Sequence, residues 1–223
     1  MPVYQKQFKS IKLHSLLYLF VFSLLLSCQK GSQDQQTIYY NDFETSDMNN
    51  ITGGIFTSYN NTTVLGRYNK SGFQLQLSSL PAHDLIEVSF DLYIHDSWDG
   101  NGADPDGPDI WKLEIEGVDY IKTTFSNKEC PYTCFPQSYP FNYLNSNQAP
   151  RSGSFLTELS GFCFWADRPR GSSMYKIVKR IEHSSGSFNM RCVDELVQSN
   201  VADQLCDESW SVDNLTVKTI KID

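Results

Sequence analysis

The run Asp84–His95, DLIEVSFDLYIH, constrains this chain more than any other stretch. Ile86, Val88, Phe90, Leu92 and Ile94 take every second position, with Glu87, Ser89, Asp91 and Tyr93 between them. Strand side chains leave alternately to opposite faces, so a period of two gathers the apolar residues on one face. A helix would scatter both sets around its circumference. The run therefore predicts a long strand with one buried and one wet face, the habit of antiparallel sheets.

The rest of the chain repeats this pattern in shorter pieces. Thr37–Glu44, Gly54–Tyr59 and Phe73–Leu80 read as strands before the long one. Trp111–Ile115 and VDYIKTTF make a hairpin around Glu116–Asp119; Met174–Glu182, Ser187–Val193 and Trp210–Ile222 follow. Trp111 and Trp210 alternate with polar neighbours and are assigned to the core. Asp194–Leu205 is the one place for a short helix. With no long amphipathic helix, no repeat and no helix–strand alternation, the expected fold is an all-β antiparallel β-sandwich. Between Asn127 and Ser172 the periodicity vanishes in a Pro-, Cys- and aromatic-rich segment, too long for an ordinary connection. Its aromatic content argues against disorder, so it is expected to fold over the sheet or line a groove.

The N-terminus reads as an export signal. Lys6, Lys9 and Lys12 precede the apolar run Leu16–Leu26, which is too short to span a bilayer. Leu25-Leu26-Ser27-Cys28 resembles the lipobox of bacterial lipoproteins, which implies a leader over 1–27, lipidation of Cys28 and anchoring to a bacterial membrane at the cell envelope. Residues 28–36 read as a polar tether and 37–223 as the folded domain. With the leader lysines set aside, fifteen basic side chains face 26 acidic ones, a formal charge of −11. That excludes nucleic acid as a natural partner and leaves membrane contact to the anchor.

Export also sets the reading of Cys130, Cys134, Cys163, Cys192 and Cys206. In an oxidising compartment they are disulfide candidates, and five leave one unpaired. Two bridges and one free thiol can be arranged in fifteen ways, so the pairing is not deducible, though Cys192 with Cys206 could close the loop before the last strand. Ser97–Trp111, SWDGNGADPDGPDIW, collects oxygen donors suited to calcium: Asp99, Asn101, Asp104, Asp106 and Asp109. An EF-hand is excluded, since positions six and twelve counted from Asp99 are Asp104 and Ile110 where that loop needs Gly and Glu. A solvated acidic turn is the competing reading.

Leu80–Asn127, the NDFE of the first strand and the closing DESWSVDNLTV resemble a secreted jelly-roll module of bacterial exported proteins, in the wider class of carbohydrate-binding-module and lectin-like jelly rolls. The resemblance implies a structural calcium where the first and last strands meet, with Glu44, Asp42 and Asp213 as ligands. Nothing in the resemblance covers Cys130–Arg170. No G-x-S-x-G, H-E-x-x-H, P-loop or dinucleotide motif is present, and His83, His95 and His183 lie in loop or strand-end contexts, so catalysis is not expected. A glycoside hydrolase would need only a fold-dependent carboxylate pair and is the less favoured alternative. Sugar rings stack on aromatic faces while their hydroxyls seek amides and carboxylates, which nominates Trp98, Tyr139, Tyr143 and Trp165. The expected function is a lipid-anchored glycan-binding module with structural calcium. The competing class is an adhesion module that contacts a cell-envelope protein through the same aromatic segment.

Overall fold

The chain winds outward from one hairpin. Among the residues described by the computed structural model, 33–103, 107–128, 135–198 and 201–222, there are twelve strands and one four-residue helical turn. The strands are β1 (Gln33–Asn41), β2 (Ile51–Thr52), β3 (Phe56–Tyr59), β4 (Thr62–Tyr68), β5 (Gly72–Ser78) and β6 (Leu85–Asp96). Then come β7 (Ile110–Ile115), β8 (Val118–Thr124), β9 (Leu156–Leu159), β10 (Ser172–Glu182), β11 (Ser187–Glu195), helix α1 (Gln204–Asp207) and β12 (Glu208–Ile222). The predicted leader with Cys28 lies outside the described residues, as do Asp104, Asp106, Cys130 and Cys134.

The hairpin β7–β8 is innermost; around it β6 pairs with β10, β5 with β11 and β4 with β12, all antiparallel. Successive pairs lie in alternate sheets, so the ribbon is rolled on itself as a jelly roll. Lateral pairing of β6 with β12 and β7 with β11 completes the two sheets. One has the order β3-β4-β12-β6-β10-β9 with β1 beside β12, and the other β2-β5-β11-β7-β8.

The core is the inner faces of both sheets. Ile86, Val88, Leu92 and Ile94 of β6 are fully buried, and Phe90 nearly so, against Trp111, Leu113, Phe188, Met190 and Trp210. Trp111 and Trp210 meet edge to face, with centroids 5.9 Å apart. Each large buried apolar side chain contributes about 1.5–3 kcal/mol relative to exposure.

The boundaries differ from expectation in four places. Strand β1 begins at Gln33, inside the run read as tether, and stops at Asn41. Strand β4 has no alternation to betray it, because Val64 and Leu65, on opposite faces, are both buried. The expected helix shrinks to Gln204–Asp207, since β11 runs on to Glu195. The long segment after Asn127 contains a strand of its own, β9, antiparallel to β10.

Part of the face of β6 expected to be wet is covered. Tyr93 is 8% exposed and His95 fully buried, because Tyr59, Val64, Met174, Leu159 and Phe162 form a second apolar cluster over them. The insertion is held there twice. Asp96 accepts hydrogen bonds from the backbone N–H of Phe162, Cys163 and Trp165, and Cys163 is disulfide-bonded to Cys206. The candidate pairing of Cys192 with Cys206 is thus corrected: Cys192 is a buried free thiol on β11, pointing into the core.

Candidate functional site

The β3–β4 hairpin turns at Asn60-Asn61, where φ is 50° and 64°. Two such residues in succession suit the tight turn that matches strand twist, and Asn tolerates that region better than most. Opposite this turn stands the chain from Glu158 to Phe162, and a cleft of about 350 Å³ opens between them. Tyr59, Leu159 and Phe162 supply its apolar part; Ser58, Asn60, Glu158 and Ser160 supply hydroxyl, amide and carboxylate groups. The Tyr59 hydroxyl donates to the Ser160 carbonyl at 2.7 Å, tying one wall to the other. Phe162 is fixed between the Tyr59 ring, stacked at 5.5 Å, and the Arg67 guanidinium at 4.2 Å.

Beneath the cleft His95 lies between Ser172 Oγ at 3.1 Å and Ser211 Oγ at 2.7 Å. Burial, then the Arg67 charge, pulls its pKa down to about 3, so it stays neutral. Burial likewise pushes the Tyr59 phenol up to about 12. The floor is uncharged at neutral pH, while Glu158 at the rim meets Arg170 at 3.7 Å.

The aromatics nominated from sequence are placed differently. Trp98 is fully buried and donates from Nε1 to the Ser209 carbonyl, so it offers no face to a ligand. Tyr139 packs on Phe125 and Tyr175, 5.0 and 5.1 Å away, as an edge of the core. Tyr143 is half-buried, its N–H donating to the Lys122 carbonyl. Trp165, also half-buried, carries the Arg168 guanidinium over its ring at 5.4 Å. A second cleft, on the outer face of β5, β11 and β7, is lined by Lys112, Glu114 and Arg191. Its charges bond one another, and its one aromatic residue, Phe73, is buried.

The acidic residues fall into two groups. At one end of the sandwich Asp99, Asp109 and Glu208 are buried together. Asp109 Oδ2 accepts from the N–H groups of Asp99 and Gly100, and the Glu208 carboxyl is close enough to feel the charge of Asp109. Lys128 Nζ lies 2.6 Å from Asp99 Oδ1. Burial, then the neighbouring carboxylates, raises both Asp109 and Glu208 well above the usual range. Asn101 turns away, its amide donating to Ser146 and Asn147. The charge of this loop is answered by a lysine and two backbone amides.

The second group lies where β1 gives way to β4 alongside β12. Asp213 sits at a bulge in β12 opposite Asp91, close to Asp42 and Glu44. Burial, then Asp91, Glu44 and Asp42, pushes Asp213 up to about 6. Glu44 is held below its ordinary value by hydrogen bonds from Thr62 and Thr63. A divalent cation fits this group in charge and ligand type. Among the described residues, however, no three acidic, His or Cys side chains converge on one ion-sized centre.

Residues missed by sequence reasoning are Asn60, Glu158 and Phe162 at the cleft and Lys128 and Glu208 at the buried group. Glu208 was within reach, because counting back two from core Trp210 along a strand lands on it. The cleft residues come from segments far apart in sequence and carry no local motif.

No protein-family model matches the sequence, and no curated protein matches it. Among solved structures, similarity extends to a family 35 carbohydrate binding module from Clostridium thermocellum, with 11% identity, TM-score 0.33, and 83% of this chain and 97% of that one covered. A carbohydrate binding module of Cellvibrio mixtus lichenase 5A, in complex with cellotriose, is 10% identical with TM-score 0.34, over 82% and 97%. Dimeric latent PorU from Porphyromonas gingivalis is 8% identical with TM-score 0.36 over 67% of this chain, which spans 10% of that much longer protein. Such distant likenesses define no function; the nested strand order itself defines the class, a jelly-roll β-sandwich with a folded insertion.

Proposed function

We propose that this chain is an exported glycan-binding module, anchored at the cell envelope through lipidated Cys28. The observation that carries the reading is the cleft between Asn60 and Glu158–Phe162. It joins an apolar floor to an amide, a carboxylate and two hydroxyls, the combination a sugar needs for its C–H faces and its hydroxyl groups. Its volume is that of a small-ligand site. Glu158 is the only carboxylate among the described lining residues, whereas hydrolysis of a glycosidic bond calls for two. That favours binding over cleavage. Calcium belongs in this reading as a structural ion at the strand junction, held by Asp42, Glu44 and Asp213 after the two loop carboxylates are drawn inward.

The export signal and lipobox-like Leu25–Cys28 support the anchor, and globomycin-sensitive processing with acylation of Cys28 is its test. For the cleft, the test is a glycan array with the wild-type chain and Asn60→Gly/Glu158→Ala, in which glycine keeps the left-handed backbone of the turn and removes the amide. Glycan hits that disappear in the double variant, at unchanged melting temperature, are the expected result. A second reading, adhesion to an envelope protein, is favoured by the exposed apolar residues of the insertion, Leu144 at 81% and Phe164 at 63%. An array without hits, together with a crosslinked envelope protein, would decide for it.

A further inference from the structure

The contact between Lys128 and Asp99 carries an inference that the binding function does not use. The Lys128 amine lies 2.6 Å from Asp99 Oδ1, and the Asp99 side chain is 6% exposed. Around it are the fully buried Trp98 and Ser126, the Phe135 ring 5.4 Å from Nζ, and the buried carboxyls of Asp109 and Glu208. Asp109 is tied to the same turn by the N–H groups of Asp99 and Gly100.

We propose that Lys128 and Asp99 condense to an intramolecular isopeptide bond, making this pair a covalent staple between the loop after β6 and the segment after β8. The step opens with transfer of a proton from the ammonium to the carboxylate, leaving an amine and an acid; the 6% exposure of the Asp99 side chain, against 27% for Lys128, lowers the cost of giving up the carboxylate charge. Nζ then attacks Asp99 Cγ. The C–N bond forms, a Cγ–O bond breaks, and the oxygen departs as water with the second proton relayed from the amine through the neighbouring carboxyls. One amide and one water replace the ammonium and the carboxylate, with no oxidant or cofactor. The carboxyls of Asp109 and Glu208, both buried and both close enough to feel the charge of Asp99, stand where such a step requires a general acid. The staple would close the loop over residues 99–128 in an exported protein, as a disulfide does, but without sensitivity to reductant.

The test is tandem mass spectrometry on a digest of the full-length protein, beside Lys128→Arg and Glu208→Gln. Lys128→Arg keeps the charge of the ion pair and removes the nucleophile. The expected result is a branched peptide joining residues 99 and 128, lighter than its parts by one water. It is absent from Lys128→Arg and delayed at least tenfold in Glu208→Gln. The Asp99-Gly100 sequence can also lose water by closing a succinimide within the backbone. A water loss that persists in Lys128→Arg without a branched peptide would therefore overturn the proposal, as would a wild-type digest containing only the two linear peptides.

Discussion

Two acidic groups of similar composition meet opposite fates in this molecule. Asp99, Asp109 and Glu208 are buried and answered from within, by Lys128 and by backbone amides. Asp42, Glu44, Asp91 and Asp213 sit at the junction of β1, β4 and β12, with Lys176 reaching Asp91 at 3.2 Å and no converging ligand set. Oxygen donors at suggestive spacing do not distinguish an ion site from a self-contained polar core. What decides is whether the fold delivers its own counter-charge. The first group receives one from a distant segment; in the second, burial first and then the acidic neighbours raise the pKa of Asp213.

The largest effect that would break this contrast concerns Trp98. If the loop after β6 is core, Trp98→Ala costs about 3–5 kcal/mol in urea unfolding, whereas a surface ligand platform would lose little. Next is Lys128→Ala, which leaves the Asp99 charge buried without its lysine. Where the pair is not covalently joined, the loss is about 2–3 kcal/mol, below that for a fully buried pair because Lys128 keeps 27% of its side chain exposed.

The pH dependence sharpens the comparison at the second group. Asp213 has its folded pKa raised from an ordinary 3.8 to about 6. The folded state therefore binds the proton more tightly, and stability present below pH 4 is lost as pH rises through 6. Asp213→Asn removes that loss, so at pH 8 it is more stable than wild type by about 2 kcal/mol in calcium-free buffer and equal to it below pH 4. The smallest effect is that of the ion itself. Calcium at ten times its Kd adds about 1.4 kcal/mol, a melting shift of about 3–5 °C. Asp213→Asn should abolish that shift and Asp109→Asn should leave it intact.

Much of the fold was legible because its long strands alternate cleanly. Ile86 through Ile94 declared β6, and Trp111 and Trp210 declared the core by the same rule. Strand β4 was not legible, since a strand buried on both faces loses its period. Asp96 and Cys206 show why the insertion was opaque: its anchors lie outside it in sequence, one in a cap to three backbone amides and one in a disulfide partner. The candidate site was the least legible part. Tyr59, Asn60, Glu158 and Phe162 become neighbours only when β9 joins the edge of β10, and of the aromatics nominated in their place Trp98 and Tyr139 were drawn to the core by their own apolar bulk. Glu208 is the intermediate case, visible in the alternation of β12 but read as part of a motif.

The account's central claim is that glycan binds in the cleft of the β3–β4 turn and the insertion. Backbone amide shifts of the isotopically labelled chain, followed during titration with the strongest array ligand, test it most directly. The prediction is that the largest shifts cluster at Asn60-Asn61 and Glu158–Phe162, with Tyr139 and Tyr143 unmoved. Shifts centred on Tyr139 and Tyr143, or on the face of Lys112 and Arg191, would contradict it.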